Sequence, residues 1–173
     1  MTLNIHGTNG INGVNGTAAA PALAGADTDS GVFFGTNQVG LTTNGTQSLL
    51  IDANGRADVK SAKSDIQTLT DAATVTPDFA AGNFFSLTFT SAVGNTRTLA
   101  NPSNLVAGQS GTIFLVQDGT GSRTITYGTH WEFAGGVATN APTLTTTANA
   151  VDRIDYIVRS ASSIHAVATL NYS

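Results

Sequence analysis

The sequence predicts an all-β protein, with an N-terminal arm, a short β meander and a C-terminal β-sandwich or jelly roll. Three observations predict it. Threonine, a β-branched strand former, dominates the composition together with Gly, Asn, Ala and Ser. Short stretches of alternating apolar and small residues are separated by Asn-Gly and Gly-rich turn signals. No stretch sustains the 3.6-residue periodicity of an amphipathic helix.

Composition also bounds function. Charged residues make up 10% of the chain, against roughly 25% in an average domain, while hydrophobic residues make up 40%. A core can therefore form, and the composition is unlike that of a disordered chain. A net charge of -4, with only seven Lys and Arg in total, argues against nucleic-acid binding. With no cysteine, disulfides and thiolate metal sites are excluded. No apolar run reaches the ~20 residues that span a bilayer, so no membrane association is expected. Met1-Thr2-Leu3-Asn4 lacks the basic and apolar regions of a secretory signal, which predicts cytoplasmic synthesis and assembly. A surface so poor in charge is expected to be partly covered by other subunits.

Residues 1–16 form the arm. Gly7, Gly10, Gly13 and Gly16 recur every third residue, with Asn9, Asn12 and Asn15 before the last three. Period three matches neither a strand nor a helix, and leaves two readings. One is a threefold polyproline-II-like strand intertwined between copies, with Ile11 and Val14 at the contacts. The other is an Asn/Gly arm that orders only where it docks.

Residues 17–63 form the meander. Val39, Leu41 and Thr43 alternate with Gly40 and Thr42, Asn44-Gly45 turns the chain, and Gln47 to Ile51 returns. Asn54-Gly55 makes a second turn before a short strand from Arg56 to Val59. Such short strands bury too little to stand alone. Their apolar side chains, including Val32, Phe33, Phe34, Leu49 and Ile51, need cover, and neighbouring copies are the expected source. Phe33 and Phe34 are therefore candidate oligomer contacts. The locally charged stretch from Asp58 to Asp71 reads as a linker or one short helix, with the domain boundary near Lys60 to Ser64.

Residues 64–173 form the C-terminal module. Strands are expected at 65–70, 84–90, 96–99, 111–117, 123–127, 151–159 and 164–171. Phe85, Leu87 and Phe89 alternate with Ser86 and Thr88 in a half-buried pattern. Ile113-Phe114-Leu115-Val116 is apolar on both faces, as in a central strand. Short strands at this spacing suggest a sandwich or jelly roll.

Two segments resemble bacteriophage fibre and head-decoration proteins. Ala-Asp-Thr-Asp-Ser-Gly-Val (26–32), Asn-Gln-Val-Gly-Leu (37–41), Thr-Asn-Gly-Thr (43–46) and Leu-Leu-Ile-Asp-Ala-Asn-Gly (49–55) resemble a short repeat of phage tail fibres. Ala-Thr-Val-Thr-Pro-Asp-Phe (73–79), Ala-Gly-Gln-Ser-Gly-Thr-Ile (107–113) and Gln-Asp-Gly-Thr-Gly-Ser-Arg-Thr-Ile-Thr-Tyr-Gly (117–128) resemble a module at the ends of such fibres. The resemblance implies a location in the virion, homotrimers, and capsid or tail proteins as partners. It supplies no catalytic residue. A tail fibre is typically longer and begins with an attachment domain, so a short fibre or capsid decoration subunit fits better.

Candidate chemistry is sparse, and no catalytic, metal-binding or cofactor-binding residue is assigned. His6, His130 and His165 lie far apart, and no Gly-x-Ser-x-Gly elbow is present. Asp152 and Asp155, at odd spacing on one strand, face opposite sides. Asp27 and Asp29 read as turn residues, too few for a calcium site. His130-Trp131-Glu132 lacks the partners of a metal site, and Gly119-Thr120-Gly121-Ser122 lacks the lysine of a phosphate loop and reads as a hairpin turn. Tyr127, Trp131 and Tyr156 would stack on host surface glycans if exposed. Burial in the core or at a subunit contact is the plainer expectation for them.

Overall fold

Small and aliphatic residues alternating between tight turns fold the first part of the chain into an antiparallel meander. In the computed structural model, residues 4–6, 10–12, 15–137 and 140–172 are described, with the side chains of 15–135 and 140–172. The chain divides into two compact units, Met1–Lys63 and Ser64–Ser173. Strand is the dominant structure in both; among the described residues 3-10 conformation is found at Ser91–Val93 and at Asn140.

In the first unit, β1 (Asn4–His6) pairs antiparallel with β2 (Gly10–Asn12). Of the period-three glycines, Gly10 lies in this pairing opposite His6 and Gly16 bridges Pro21, while Gly7 and Gly13 lie outside the described residues. Ile11 stands opposite Ile5 in that ladder, its side chain outside the described ones; Val14 lies outside the described residues. β3 (Leu23–Ala24), β4 (Gly31–Gly35), β5 (Gln38–Thr43), β6 (Thr46–Ile51) and β7 (Ala57–Val59) form a five-stranded sheet in sequence order. Asn44 and Gly45 both adopt positive φ, 50° and 65°, as a type I′ hairpin requires. Asp52 closes the next turn, accepting the Asn54 and Arg56 backbone N–H groups at 2.8 and 2.9 Å.

One face of this sheet is covered by its own chain. Phe33 is 9% exposed and lies across Gly40, where an added Cβ would sit 2.2 Å from the Phe33 ring. Thr42 donates its hydroxyl to the Ala18 carbonyl at 2.8 Å, and the Phe34 N–H donates to the Asn15 carbonyl at 2.6 Å. Phe33 is therefore an internal packing residue and not the oligomer contact expected of it. Gly40→Val should displace the Phe33 ring and cost about 1–3 kcal/mol, a loss of overpacking type. Thermal unfolding followed by circular dichroism reads it.

The second unit contains β8 (Ile66–Leu69), β9 (Thr74–Val75), β10 (Phe84–Thr88), β11 (Thr96–Leu99), β12 (Ser110–Val116), β13 (Thr124–Tyr127), β14 (Trp131–Phe133), β15 (Gly136–Val137), β16 (Val151–Ser160) and β17 (Ser163–Thr169). The charged stretch from Asp58 to Asp71 contains no helix: it runs from the end of β7 through irregular chain at 60–65, as a linker would, into β8, where a strand was expected at 65–70. The even-numbered strands β8, β10 and β12 pair in parallel in one sheet; the odd-numbered β9, β11 and β13 pair in parallel in a second. The chain thus winds as a coil, crossing between sheets at every turn. Successive turns stack 28 positions apart where Thr96 meets Thr124 and Thr98 meets Thr126, at 2.9 and 3.0 Å between hydroxyls. β16 and β17 then extend the first sheet antiparallel from β12, and β14 and β15 complete its far edge, giving seven strands in the order β15-β14-β17-β16-β12-β10-β8.

Both sheets contribute to one core: Val75 and Leu99 from the smaller, Phe85, Leu87, Ile113, Leu115, Ile154 and Ile164 from the larger. That is a sandwich. The antiparallel ladders of a jelly roll are absent from the β8–β13 coil, because crossing between sheets brings each strand back in the same direction as the one below it. The Asp118–Ser122 segment is accordingly a corner between sheets and not a hairpin turn.

Candidate functional site

Register places a row of large aliphatic side chains across the open face of the β3–β7 sheet. Leu23 opposes Val32, Val32 opposes Leu41, Leu41 opposes Leu49 and Leu49 opposes Val59. A second row runs Phe34, Val39, Ile51, Ala57. Side chains two apart on a strand share a face, so both rows stand on one side. Leu23, Phe34, Val39, Leu41, Ile51 and Val59 are 37–47% exposed. No charged side chain stands in either row. Meanwhile Gly40 and Thr42, the small and polar residues between them, are buried on the other side. Covering each wet side chain would contribute on the order of 1 kcal/mol. Phe34 is thus exposed where an oligomer contact was expected, on one face with Val32, Leu49 and Ile51, whose need for cover was also expected, and with Leu23, Val39, Leu41 and Val59.

The aromatic residues considered for sugar stacking lie elsewhere. Trp131 is 2% exposed and Tyr156 is 5% exposed. Both pack around Phe79, whose ring stacks on Tyr156 at 4.6 Å and meets Trp131 edge-on at 6.4 Å. Trp131 Nε1 donates to the Ala100 carbonyl at 3.0 Å, and the Tyr156 hydroxyl to the Asn83 carbonyl at 3.0 Å. Tyr127 packs edge-on against Phe133 at 4.7 Å. Burial pushes the hydroxyls of Tyr127 and Tyr156 well above the usual tyrosine range. Trp131 and Tyr156 are core residues, and Tyr127 is half-buried against that core, so the conditional glycan-stacking reading gives way to the plainer expectation of packing.

Ionisable groups of the second unit hold corners together. Arg97, fully buried, donates to both oxygens of Asp71 at 2.8 and 2.6 Å, and also to the carbonyls of Thr90, at 2.5 Å, and Gly94. Its guanidinium lies over the Phe89 ring at 5.2 Å. Arg97 beside Asp71 holds that carboxyl below the usual range. Arg123 pairs with Asp118 at 2.8 Å and reaches back one turn of the coil to Asn95 at 2.6 Å. Asp118 in turn accepts the N–H groups of Thr120 and Gly121, and Arg123 lowers its pKa. Asp152 points inward and Asp155 outward, as their spacing requires: Asp152 accepts the Thr145 and Asn171 N–H groups, and Asp155 holds Arg153 and Thr112. Asp27 accepts the Asp29 N–H at 3.3 Å, an Asx turn.

A shallow groove of about 620 Å³ lies on the outer face of the larger sheet, over Glu132, Asp155, Ile157, His165 and Val167. Its ionisable groups are paired: His165 with Glu132 at 3.4 Å, Asp155 with Arg153 at 2.8 Å. Among the described residues no cluster of three or more His, Asp or Glu is placed to hold a metal ion. No helix among them is long and apolar enough to cross a membrane.

Comparison with known proteins finds no matching family, no matching curated protein and no matching solved structure.

Proposed function

We propose that this chain is a structural subunit of a bacteriophage particle, a short fibre or capsid decoration protein that acts as a homotrimer and catalyses no reaction. The observation that carries the reading is the wet apolar face of the β3–β7 sheet. In a chain with 10% charged residues, a sheet that turns its large aliphatics outward and Gly40 and Thr42 inward is patterned for association. Its ionisable groups support the same reading, since Arg97, Asp71, Arg123, Asp118 and Asp152 are engaged in bracing corners and loops. The place on a phage particle, assembled in the host cytoplasm against capsid or tail proteins, rests on the resemblance of residues 19–59 and most of 68–173 to fibre proteins.

Antibody raised against the recombinant chain and applied to purified particles of the source phage tests this. Regular labelling of the particle surface is the expected result. Purified particles that lack the chain altogether would exclude the virion role.

A further inference from the structure

We propose that the open face of the β3–β7 sheet is closed by the same face of a second copy of this chain. The proposal rests on the oligomeric reading above and adds to it the surface and the occupant.

Size is the first argument. Five strands about 4.8 Å apart, carrying two rows of side chains spaced about 6.7 Å along the strand, cover roughly 24 by 13 Å; with side-chain relief this is on the order of 500 Å² of accessible apolar surface. Two such faces together reach about 1,000 Å², the lower limit of a specific contact.

Chemistry is the second. Neither row contains a charge, and Leu41 at the centre stands between Val32 and Leu49. Such a face offers no electrostatic feature by which a charged or polar partner would be selected. Its flat, pleated relief is matched by another pleated sheet stacked about 10 Å away, the spacing of any sandwich.

Asymmetry is the third. The chain already covers the Phe33, Gly40 and Thr42 side with its own residues near Asn15 and Ala18, and leaves the aliphatic side wet. A sheet layered on one side by its own chain and apolar on the other is half of a sandwich, and a second copy supplies the missing half. Two copies meet face to face about a twofold axis; three close their faces around a threefold axis. In both, Leu41 of one copy faces the corresponding surface of another.

The native chain has no cysteine, so single cysteines can be introduced without background. Leu41→Cys should give an intermolecular disulfide on mild oxidation, resolved on a non-reducing gel. Asp58→Cys, on the opposite face of β7 beside Leu50, should not. Leu41→Asp should keep the circular dichroism of the folded chain while its sedimenting mass falls to 17.6 kDa, with at least a ~100-fold rise in the dissociation constant. An oligomeric wild type whose mass is untouched by Leu41→Asp, with no trapping at Leu41→Cys, overturns this interface and leaves the oligomeric reading standing. A wild type that sediments as one folded copy overturns both. If Leu41→Asp merely lowers the melting temperature of such a single copy, the occupant is a segment of the same chain.

Discussion

Arg97→Ala is expected to destabilise the second unit by about 3–5 kcal/mol, the cost of breaking a buried ion pair by removing one partner. Removing the guanidinium leaves the Asp71 carboxylate, 6% exposed, without its cation, and leaves the Thr90 and Gly94 carbonyls without that donor. The Thr90 backbone and hydroxyl donors to Asp71, both at 2.8 Å, cannot offset a lost charge. Arg97→Met, which keeps bulk over Phe89 but not the charge, should recover only part of the loss. Chemical unfolding with urea measures the difference. The pair also gives a signature in acid. Asp71 is held below its ordinary value by Arg97, so its contribution is complete above the unfolded aspartate value of about 3.9 and is lost as pH falls from there through the folded value. Wild type should therefore lose stability on acidification below about pH 4 more steeply than Arg97→Ala, whose Asp71 has little left to lose.

Trp131→Ala is expected to cost a further class of stability, about 3–5 kcal/mol for a large buried aromatic. The substitution empties the space beside Phe79 and Tyr156 and removes the donor to the Ala100 carbonyl. Ala100 continues β11, so the loss falls where the two sheets join through one core. A binding role for Trp131 would predict the opposite pattern, an unchanged melting curve with a lost ligand. Differential scanning calorimetry separates the two outcomes.

Much of the fold was legible from residues. Alternation and turn chemistry located β5, β6, β7, β8, β10, β11, β12, β13, β16 and β17 to within a few residues, because a period of two and an Asn-Gly turn are local properties. The apolar run at Ile113–Val116 marked a central strand, and β12 does lie between β10 and β16. β9 and β14 were too short to show alternation. The coil was hidden for a different reason. A glycine-containing corner between sheets carries the same residues as a hairpin turn, and strand direction leaves no mark on a period-two pattern. The parallel stacking of Thr96-Arg97-Thr98 on Thr124-Ile125-Thr126 could have been found only as a repeat of 28 positions, with just the two threonines identical in that segment.

The candidate site was half legible. The need of Val32, Phe34, Leu49 and Ile51 for outside cover followed from their strands being too few to cover them. Which face they shared followed only from register: Phe33, neighbour to both Val32 and Phe34, points the other way onto Gly40. Burial of Trp131 and Tyr156, and half-burial of Tyr127, matched the plainer expectation, although an aromatic on a short strand fits a core and a sugar platform alike.

The claim on which the account depends is that the aliphatic face of the first unit is not wet in the working protein. The native mass of the full wild-type chain, followed by light scattering over a dilution series, tests it most directly. A folded particle two or three times 17.6 kDa, persisting to low micromolar concentration, is the predicted result. A folded particle of 17.6 kDa at every concentration would contradict it.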